Sequence, residues 1–199
     1  MNKSANFSNI HKFYDLINSL LTFGFDRSWR RQAAANLKPG NVLDLGSGTG
    51  ASYEDLKRFD VVALDPDENM LSLNKFENKV VGMSENLPFD DDYFDNIFCC
   101  FVLRNVDNID KTFSEVSRVL KKDGKFIILS VSEWTTRKNF ECLLRAYICE
   151  FNQNKDTLLV IKTSLPQGLT KEKFIESFKS LKESIRTKDT KENLSLIHI

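Results

Sequence analysis

The fold is decided by the stretch Val42-Leu43-Asp44-Leu45-Gly46-Ser47-Gly48-Thr49-Gly50, in which a short apolar run enters a glycine-rich turn. Glycines directly after a strand let the backbone turn sharply and approach a ligand closely. A helix that follows such a turn presents unpaired N–H groups to the same ligand. The stretch therefore predicts a strand, a ligand-binding loop and a helix, in that order.

The glycine spacing alone leaves the ligand open, because with Ala51 it also fits the G-x-G-x-x-G/A pattern of dinucleotide-binding folds. Asp44 lies two residues before Gly46, where a carboxylate would repel a pyrophosphate and attract an ammonium or sulfonium group. Asp65 ends the next predicted strand, about twenty residues on, where an acid can bond both hydroxyls of a ribose. Two acids around a glycine loop suit a nucleoside with an amino-acid tail, such as S-adenosylmethionine. A tight structural turn with two capping acids is the plainer alternative.

Strands and helices alternate along the rest of the chain. Short apolar runs predict five strands, at residues 41–45, 60–64, 79–82, 94–101 and 125–131. Continuous apolar strands separated by helices are typical of a parallel sheet that is buried on both faces. Alternating segments at 183–188 and 194–199 predict a C-terminal antiparallel hairpin. The expected fold class is α/β, with a Rossmann-like, seven-stranded, mostly parallel sheet and helices on both faces.

Apolar residues at helical spacing predict the helices. These lie near residues 13–21, 26–37, 52–58, 67–74, 109–120, 140–151 and 170–178. Thr170 is placed to cap the last of them. The segment 152–169 contains a short apolar run at 158–161 and has no clear prediction.

The chain carries 28 basic and 28 acidic side chains, and their distribution is uneven. Residues 1–37 have five basic and two acidic side chains, residues 38–110 have six and fifteen, and residues 111–199 have seventeen and eleven. The acidic middle would repel phosphates, so no nucleic-acid partner is expected, whereas a cationic small ligand would be attracted. Solvated acidic surfaces would give the same counts, and this alternative stays open.

A soluble cytoplasmic protein is expected. Apolar runs such as 126–129 are far shorter than the ~18 residues that a membrane span needs. Residues 1–8 are polar and lack the charged-then-apolar pattern of a signal peptide. The four cysteines form no C-x-x-C pair and the chain has only two histidines, so reduced thiols and no metal site are expected.

Several stretches resemble one family of enzymes. The glycine loop resembles motif I of class I methyltransferases, and the wider pattern resembles the menaquinone/ubiquinone biosynthesis C-methyltransferase family. The matching stretches are residues 14–24, 29–31, 64–71, 84–89, 101–106, 109–111 and 118–121. The resemblance covers about residues 11–133, and its Arg104-Asn105-Val106 element is more specific than the glycine loop.

The resemblance implies S-adenosyl-L-methionine as the cofactor. The residues expected to bind it are Asp44, Gly46, Ser47, Gly48, Thr49, Gly50, Asp65, Pro66, Met70, Met83, Ser84 and Cys100. The implied reaction is methyl transfer to a small, lipophilic molecule, and the favoured acceptor is a ring carbon of a demethylmenaquinol-like quinol. A different small acceptor and a non-catalytic S-adenosylmethionine-binding protein are the alternatives. An NAD-dependent oxidoreductase is disfavoured, because Asp44 would repel a pyrophosphate.

Three residues are the catalytic candidates: Tyr14, Arg104 and Asn105. Each could place or polarise a ring hydroxyl, since polarising or removing a phenolic proton makes the ring carbon nucleophilic. A structural ion pair is an equal alternative for Arg104, and capping of the next helix is an alternative for Asn105. No residue is identified as the general base.

The chain departs from the family at three places. Met83 stands where the family usually has an acidic or amide residue, and Val102 stands where it has glycine. The segment after Ser132 lacks the family's sequence. The resemblance therefore defines the methyl donor better than the acceptor.

One domain with three parts is expected over residues 1–199. Residues 1–37 are predicted as a helical lid, 38–133 as the cofactor-binding core, and 134–199 as a divergent substrate-side segment with the closing hairpin. The oligomeric state is left open.

Aromatic and basic residues of the predicted lid suggest contact with a lipophilic substrate. The aromatic ones, Phe23, Phe25 and Trp29, could cover the substrate, or they could simply pack against the core. The basic ones, Arg27, Arg30 and Arg31, could meet anionic lipid headgroups while the substrate is collected, so peripheral membrane contact at most is expected.

Overall fold

A computed structural model describes residues 25–131, 140–151, 158–162 and 170–185. In these parts of the chain six strands form one sheet, and all neighbouring pairs are parallel. The strands are β1 (Asn41–Leu45), β2 (Asp60–Asp65), β3 (Lys79–Val81), β4 (Phe94–Cys100), β5 (Leu120–Val131) and β6 (Leu158–Lys162). Their order across the sheet is β3-β2-β1-β4-β5-β6.

The helices are α1 (Phe25–Ala34), α2 (Tyr53–Leu56), α3 (Glu68–Leu73), α4 (Ile109–Val119), α5 (Phe140–Phe151) and α6 (Lys171–Ile185). Within the described ranges, none of them combines the length and the apolar character needed to cross a bilayer. Three begin on polar caps. Asp67 Oδ1 accepts from N–H groups of α3, and Asn108 Oδ1 accepts from the Lys111 N–H of α4 at 2.9 Å. Thr170 Oγ1 accepts from the Lys173 N–H of α6 at 3.4 Å, which confirms its predicted capping role. The cap of α4 is therefore Asn108, and the capping role considered for Asn105 is wrong.

The sheet is buried on both faces, as its continuous apolar strands predict. Along β5, Phe126 and Ile128 belong to one core cluster and Ile127 to the other, because successive side chains of a strand point to opposite faces. On the first face, Phe113 of α4 meets Phe126 edge-to-face with ring centroids 5.9 Å apart. On the second face, the alanines of α1 pack close to the sheet. Helices therefore cover both faces of the central strands.

The strand order reverses at β1. From this strand the chain proceeds outward to β2 and β3 on one side, and then to β4, β5 and β6 on the other. In open α/β sheets, such a reversal leaves a crevice outside the carboxyl ends of the two strands that flank it. The glycine-rich turn after β1 opens into this crevice, so the fold places the predicted loop where open α/β sheets have room for a ligand.

The five predicted parallel strands are confirmed, with one boundary that was wrong. β5 begins at Leu120 and α4 ends at Val119, whereas the sequence predicted a helix to about residue 120 and a strand from 125. Leu120 is buried and pairs with Phe94, and the register shifts before the regular pairs of β4 and β5 resume. Leu120 fits the apolar spacing of the helix, but its pairing with Phe94 buries it in the sheet, so the strand already begins at this residue.

Two further differences concern the C-terminal part. β6 lies in the segment that had no prediction, where it pairs with β5 and buries Leu159. Residues 183–185, predicted to begin the hairpin, form the last turn of α6, which continues the helical spacing of Phe174 and Phe178. The remaining hairpin residues, 186–199, lie outside the described residues, so the hairpin and the count of seven strands stay predictions.

Candidate functional site

A cleft of about 750 Å³ opens at the carboxyl ends of β1, β2 and β4, where the strand order reverses. Eleven of the twelve residues predicted to bind the cofactor line this cleft, and the exception is Gly50. Of the catalytic candidates, Asn105 lines it. Tyr14, with the predicted helix at 13–21, and the side chain of Arg104 lie outside the described residues. The structure thus gathers the predicted residues, while their contact with a ligand stays a prediction.

The glycine loop is held between β2 and the segment after β4. The N–H groups of Gly46 and Ser47 both donate to the carbonyl oxygen of Leu64, at 2.8 and 2.9 Å. Gly46 has a φ of +70°, and a Cβ at this position would lie 2.3 Å from Cγ2 of Val102. A side chain at this position would strain the backbone and clash with the side chain of Val102. Val102 therefore narrows the space beside the loop.

Asn74 supports the same loop, a role that the sequence analysis missed. Its Nδ2 donates to Ser47 Oγ at 3.2 Å and to the Gly48 carbonyl oxygen at 3.1 Å, and its Oδ1 accepts from the Phe76 N–H at 3.1 Å. The residue is 4% exposed, and a Cβ on Gly50 would lie 2.6 Å from Asn74 Oδ1. The only signal in the sequence was the position of an asparagine directly after the helix α3.

Asn74→Ala is expected to lower the free energy of unfolding by about 2–3 kcal/mol, because three buried polar groups lose their partner at roughly 1 kcal/mol each. Urea unfolding followed by circular dichroism measures this loss. Asn78→Ala, at an exposed asparagine four residues later, is the matched control and should change stability by less than about 0.5 kcal/mol. Equal losses in the two variants would contradict the supporting role.

Asp65, at the end of β2, is fixed by two backbone donors. Its Oδ2 accepts from the Gly48 N–H and its Oδ1 from the Asp67 N–H, both at 2.9 Å. Burial raises the pKa of Asp65, against the effect of these two hydrogen bonds. A carboxylate has about four acceptor positions, so two remain for a ligand. Two hydroxyl groups of a ribose would match them.

Asp44, on β1, is a buried acid with an oxygen that lacks a partner. The residue is 2% exposed, and its Oδ2 accepts no hydrogen bond from the described residues. Burial raises the pKa of Asp44 to about 7, an effect that Arg30 opposes and Asp65 reinforces. A buried, unpaired carboxylate destabilises the folded state unless a cation pairs with it. The site is therefore suited to a positively charged group of a ligand.

Arg30, on α1, supplies the opposite charge to this end of the cleft. It forms an ion pair with Asp26 one helical turn earlier, and its guanidinium lies over the ring of Phe101, 5.7 Å from the centroid. Its Nε is buried and has no acceptor among the described residues. Because Arg30 is 7% exposed, its predicted contact with lipid headgroups is wrong: the pairing with Asp26 turns it into the cleft. The spacing of Asp26 and Arg30 was the signal for this pair.

The other end of the cleft, beyond β3, has a different character. Met83 is half-exposed there, whereas Ser84 is buried and its Oγ lies 3.0 Å from Thr112 Oγ1. Ser84 Oγ also donates to Glu85 Oε2 at 2.9 Å. Burial favours the neutral form of Glu85, but hydrogen bonds from Ser84 and from backbone N–H groups hold its pKa below the usual value. The polar groups here thus bind one another.

The segment after β4 forms the wall opposite the glycine loop. Phe101 has a φ of +65°, so the chain turns sharply as it leaves the strand and enters a 3-10 turn at Leu103–Asn105. Just before it, burial raises the pKa of Cys100, and the nearby Asp44 raises it further. The thiol is therefore protonated and is not a nucleophile. Among the described residues, no three His, Cys, Asp or Glu side chains are placed to hold a metal ion.

Comparison with known sequences gives one family. The model of the ubiE/COQ5 methyltransferase family matches residues 3–197. The chain is 35% identical over 143 residues to a demethylmenaquinone methyltransferase of Bacteroides fragilis, covering 63% of this chain and 58% of the relative. It is 36% identical over 146 residues to a ubiquinone/menaquinone biosynthesis C-methyltransferase of Geobacter sulfurreducens, covering 63% and 56%. The chain thus spans less than two thirds of these relatives' length.

Solved structures agree on the fold. A methyltransferase of Thermotoga maritima, described as S-adenosylmethionine-dependent and as a possible histamine N-methyltransferase, matches with a TM-score of 0.53 at 21% identity, over 88% of this chain and 78% of that one. A putative methyltransferase of Haloferax volcanii in complex with its Trm112 activator matches with a TM-score of 0.52 at 18% identity, over 89% and 75%. These likenesses show a methyltransferase-like α/β fold. The family model also matches the segment after Ser132, so the expectation that this segment lacks the family's sequence is wrong. Because the family model spans almost the whole sequence, the chain belongs to the ubiE/COQ5 methyltransferase family.

Proposed function

We propose that this chain is an S-adenosylmethionine-dependent methyltransferase whose favoured acceptor is a ring carbon of a demethylmenaquinol-like quinol. Family membership and the names of the similar proteins support the reaction class and the acceptor. The single observation that supports the cofactor is the pair of buried, unpartnered atoms of opposite charge, Asp44 Oδ2 and Arg30 Nε, at one end of the cleft.

The residues present fit the amino-acid tail of S-adenosylmethionine. A tail with an ammonium and a carboxylate group would supply a donor for Asp44 and an acceptor for Arg30. Each buried group would then gain the hydrogen-bond partner that it lacks, which removes a desolvation cost of roughly 1–3 kcal/mol per group. A dinucleotide would place a pyrophosphate, and hence more negative charge, near Asp44. The charges at this end therefore favour the zwitterion.

The order of the strands supports a placement for the rest of S-adenosylmethionine. Asp65 stands at the end of β2, between β3 on one side and β1 on the other. If the tail lies at β1 with Asp44 and the ribose at Asp65, the base extends toward β3 and Met83. In this arrangement a nucleoside with an amino-acid tail would span the cleft, with its charged end at charged residues and the flat face of its base against an apolar side chain.

S-adenosylmethionine supplies a methyl group that its sulfonium has already activated. The work left to this chain is to orient the reactants and to exclude water. Val102 and the glycine loop form a close-packed wall, and Cys100 contributes a neutral thiol. Asn105 is exposed beside the cleft, where its amide could orient a phenolic hydroxyl of the acceptor. Tyr14 and Arg104 remain candidates for the same role.

We further propose that the protein works in the cytoplasm with peripheral membrane contact at most.

A transfer assay tests the proposal. The protein is incubated with S-adenosylmethionine labelled at the methyl group, together with demethylmenaquinol and, in parallel, with a panel of other phenols and amines. Label in the quinol ring is the expected result. If only another acceptor is labelled, that acceptor and not the quinol is the substrate. Tight cofactor binding without transfer to any acceptor would favour a non-catalytic binding protein. Tight binding of NAD would contradict the proposed cofactor.

A further inference from the structure

The end of the cleft beyond β3 presents one exposed apolar side chain. Met83 is 49% exposed, and among the described residues it is the only large exposed hydrophobic side chain that lines the cleft. Its carbonyl oxygen accepts from the Asn86 N–H at 3.2 Å, which fixes the turn. The backbone is thus fixed by a hydrogen bond, while the thioether side chain is half-exposed at the cleft. Met83 therefore offers a ligand an apolar contact and no strong acceptor.

The polar side chains next to Met83 are already occupied. Ser84 Oγ lies within 3.0 Å of both Glu85 Oε2 and Thr112 Oγ1. Glu85 Oε1 accepts from the N–H groups of Asp107 and Asn108, at 3.0 and 3.3 Å. These contacts join the turn after β3 to the start of α4. Redirecting Ser84 or Glu85 toward a ligand would break them, so neither is available without a structural cost.

We infer that this site recognises the base of its nucleoside by packing against Met83, with no side-chain hydrogen bond to the exocyclic amino group. The inference rests on the proposed function, which directs the base toward β3. Met83 is the specificity-determining residue of this end: the site accepts adenine whose N6 amino group bears alkyl substituents. An unbranched thioether can move aside for the added carbons, and its half-exposed position gives them a path to solvent.

Asp107 is the competing candidate. It also lines the cleft, and its exposed side chain belongs to the loop between β4 and α4. A hydrogen bond from the amino group to this carboxylate would give the opposite specificity, because N6-alkylation removes the donor. The Asp107 N–H donates to Glu85 Oε1 at 3.0 Å, so Asp107 borders the same end of the cleft as Met83. We place the base on Met83 because its half-exposed apolar side chain offers the flat face of the ring a packing contact, whereas the Asp107 side chain is exposed to solvent. The experiment below separates the two residues.

The test compares two ligands by isothermal titration calorimetry, S-adenosylhomocysteine and its N6,N6-dimethyl analogue. The analogue keeps the ring nitrogens as acceptors and loses only the N6–H donors. Wild type should bind the two within about threefold of each other, which is a difference below about 1 kcal/mol. Met83→Asp should prefer the unmodified ligand by about tenfold or more, because a charged acceptor now bonds the amino group.

Val81→Asp is the matched control. Val81 is 57% exposed on β3 and lies outside the cleft, so the variant adds the same charge nearby without reaching a ligand. It should bind the two ligands as wild type does. Since both positions are exposed, both variants should fold with wild-type circular dichroism spectra.

The outcomes distinguish the inference from the function it rests on. Absence of S-adenosylhomocysteine binding to wild type would overturn the proposed function, and the inference with it. Binding of S-adenosylhomocysteine with about tenfold rejection of the dimethyl analogue would overturn the inference alone. Loss of that rejection in Asp107→Ala would then identify Asp107 as the determinant. Equal preferences in Met83→Asp and Val81→Asp would show that Met83 is not near the base, which also overturns the inference.

Discussion

Asp65→Ala is expected to lower the affinity for S-adenosylhomocysteine by about a hundredfold or more. The reason is the position of the carboxylate at the end of β2, where two backbone N–H groups orient it and two acceptor positions stay open. Hydrogen bonds to a charged group contribute roughly 1.5–3 kcal/mol each, so the loss of two bonds to the ribose costs at least about 3 kcal/mol. Isothermal titration calorimetry measures the affinity directly.

Two further variants separate binding from folding. Asp60→Asn, at the exposed opposite end of β2, removes the same charge away from the cleft and should leave the affinity within about twofold of wild type. Asp65→Asn keeps one oxygen as an acceptor, so its affinity should lie between those of wild type and Asp65→Ala. Affinity of Asp65→Ala within about threefold of wild type would show that the carboxylate only supports the loop.

The sequence alone predicted the elements that local patterns define. Three features were informative about the fold and the site: the apolar run at 41–45, the glycines after it, and Asp65. A buried parallel strand and a tight turn each need residue types that few other structures require. The structure brings Asp44, the glycine loop and Asp65 to one cleft, which agrees with the prediction of two acids around a glycine loop. Even so, their contact with the cofactor is inferred from position and charge.

Residues that depend on a distant partner were missed or misassigned. Arg30 looked like a surface arginine, because its spacing from Asp26 indicates an ion pair but nothing near it in the sequence shows that it is buried at the cleft. Asn74 looked like an ordinary helix end, although its contacts reach Ser47, 27 residues away. β6 was ambiguous since a short apolar run fits a strand or a buried helix segment until its partner strand is known.

The second large effect is expected from Asp44→Asn, which should stabilise the protein without ligand. Burial raises the pKa of Asp44 from 3.8 to about 7, so the folded state holds an extra proton between these values. Stability therefore falls as the pH rises from about 4 to about 7, and it stays lower above that range. Asparagine cannot ionise and escapes this loss. At pH 8 the variant should be more stable than wild type by a few kcal/mol, and near pH 4 the two should agree within about 1 kcal/mol.

Urea unfolding at several pH values measures this difference. The expected signature is a gap between wild type and Asp44→Asn that grows from pH 4 to pH 7. Asp60→Asn serves again as the control, because an exposed carboxylate should give no such gap. A difference in stability that is constant with pH would contradict this prediction, and so would a variant that is less stable than wild type at pH 8. Either result would show that the buried carboxylate is already stabilised in the protein without ligand and does not lack a cation.

The same substitution should harm binding, which makes Asp44 a residue where stability and function oppose each other. An ammonium group beside Asp44 favours the ionised carboxylate, so binding near pH 6.5 should release a proton that binding at pH 8.5 does not. Calorimetry in two buffers of different ionisation enthalpy counts that proton. In Asp44→Asn the release should vanish and the affinity should fall by about tenfold or more, since a hydrogen bond between two charged groups is lost. If the binding enthalpy of wild type does not depend on the buffer, the ammonium group lies elsewhere. If the proton release is present in wild type and absent in Asp44→Asn, the acid that destabilises the free protein is the group that binds the ammonium.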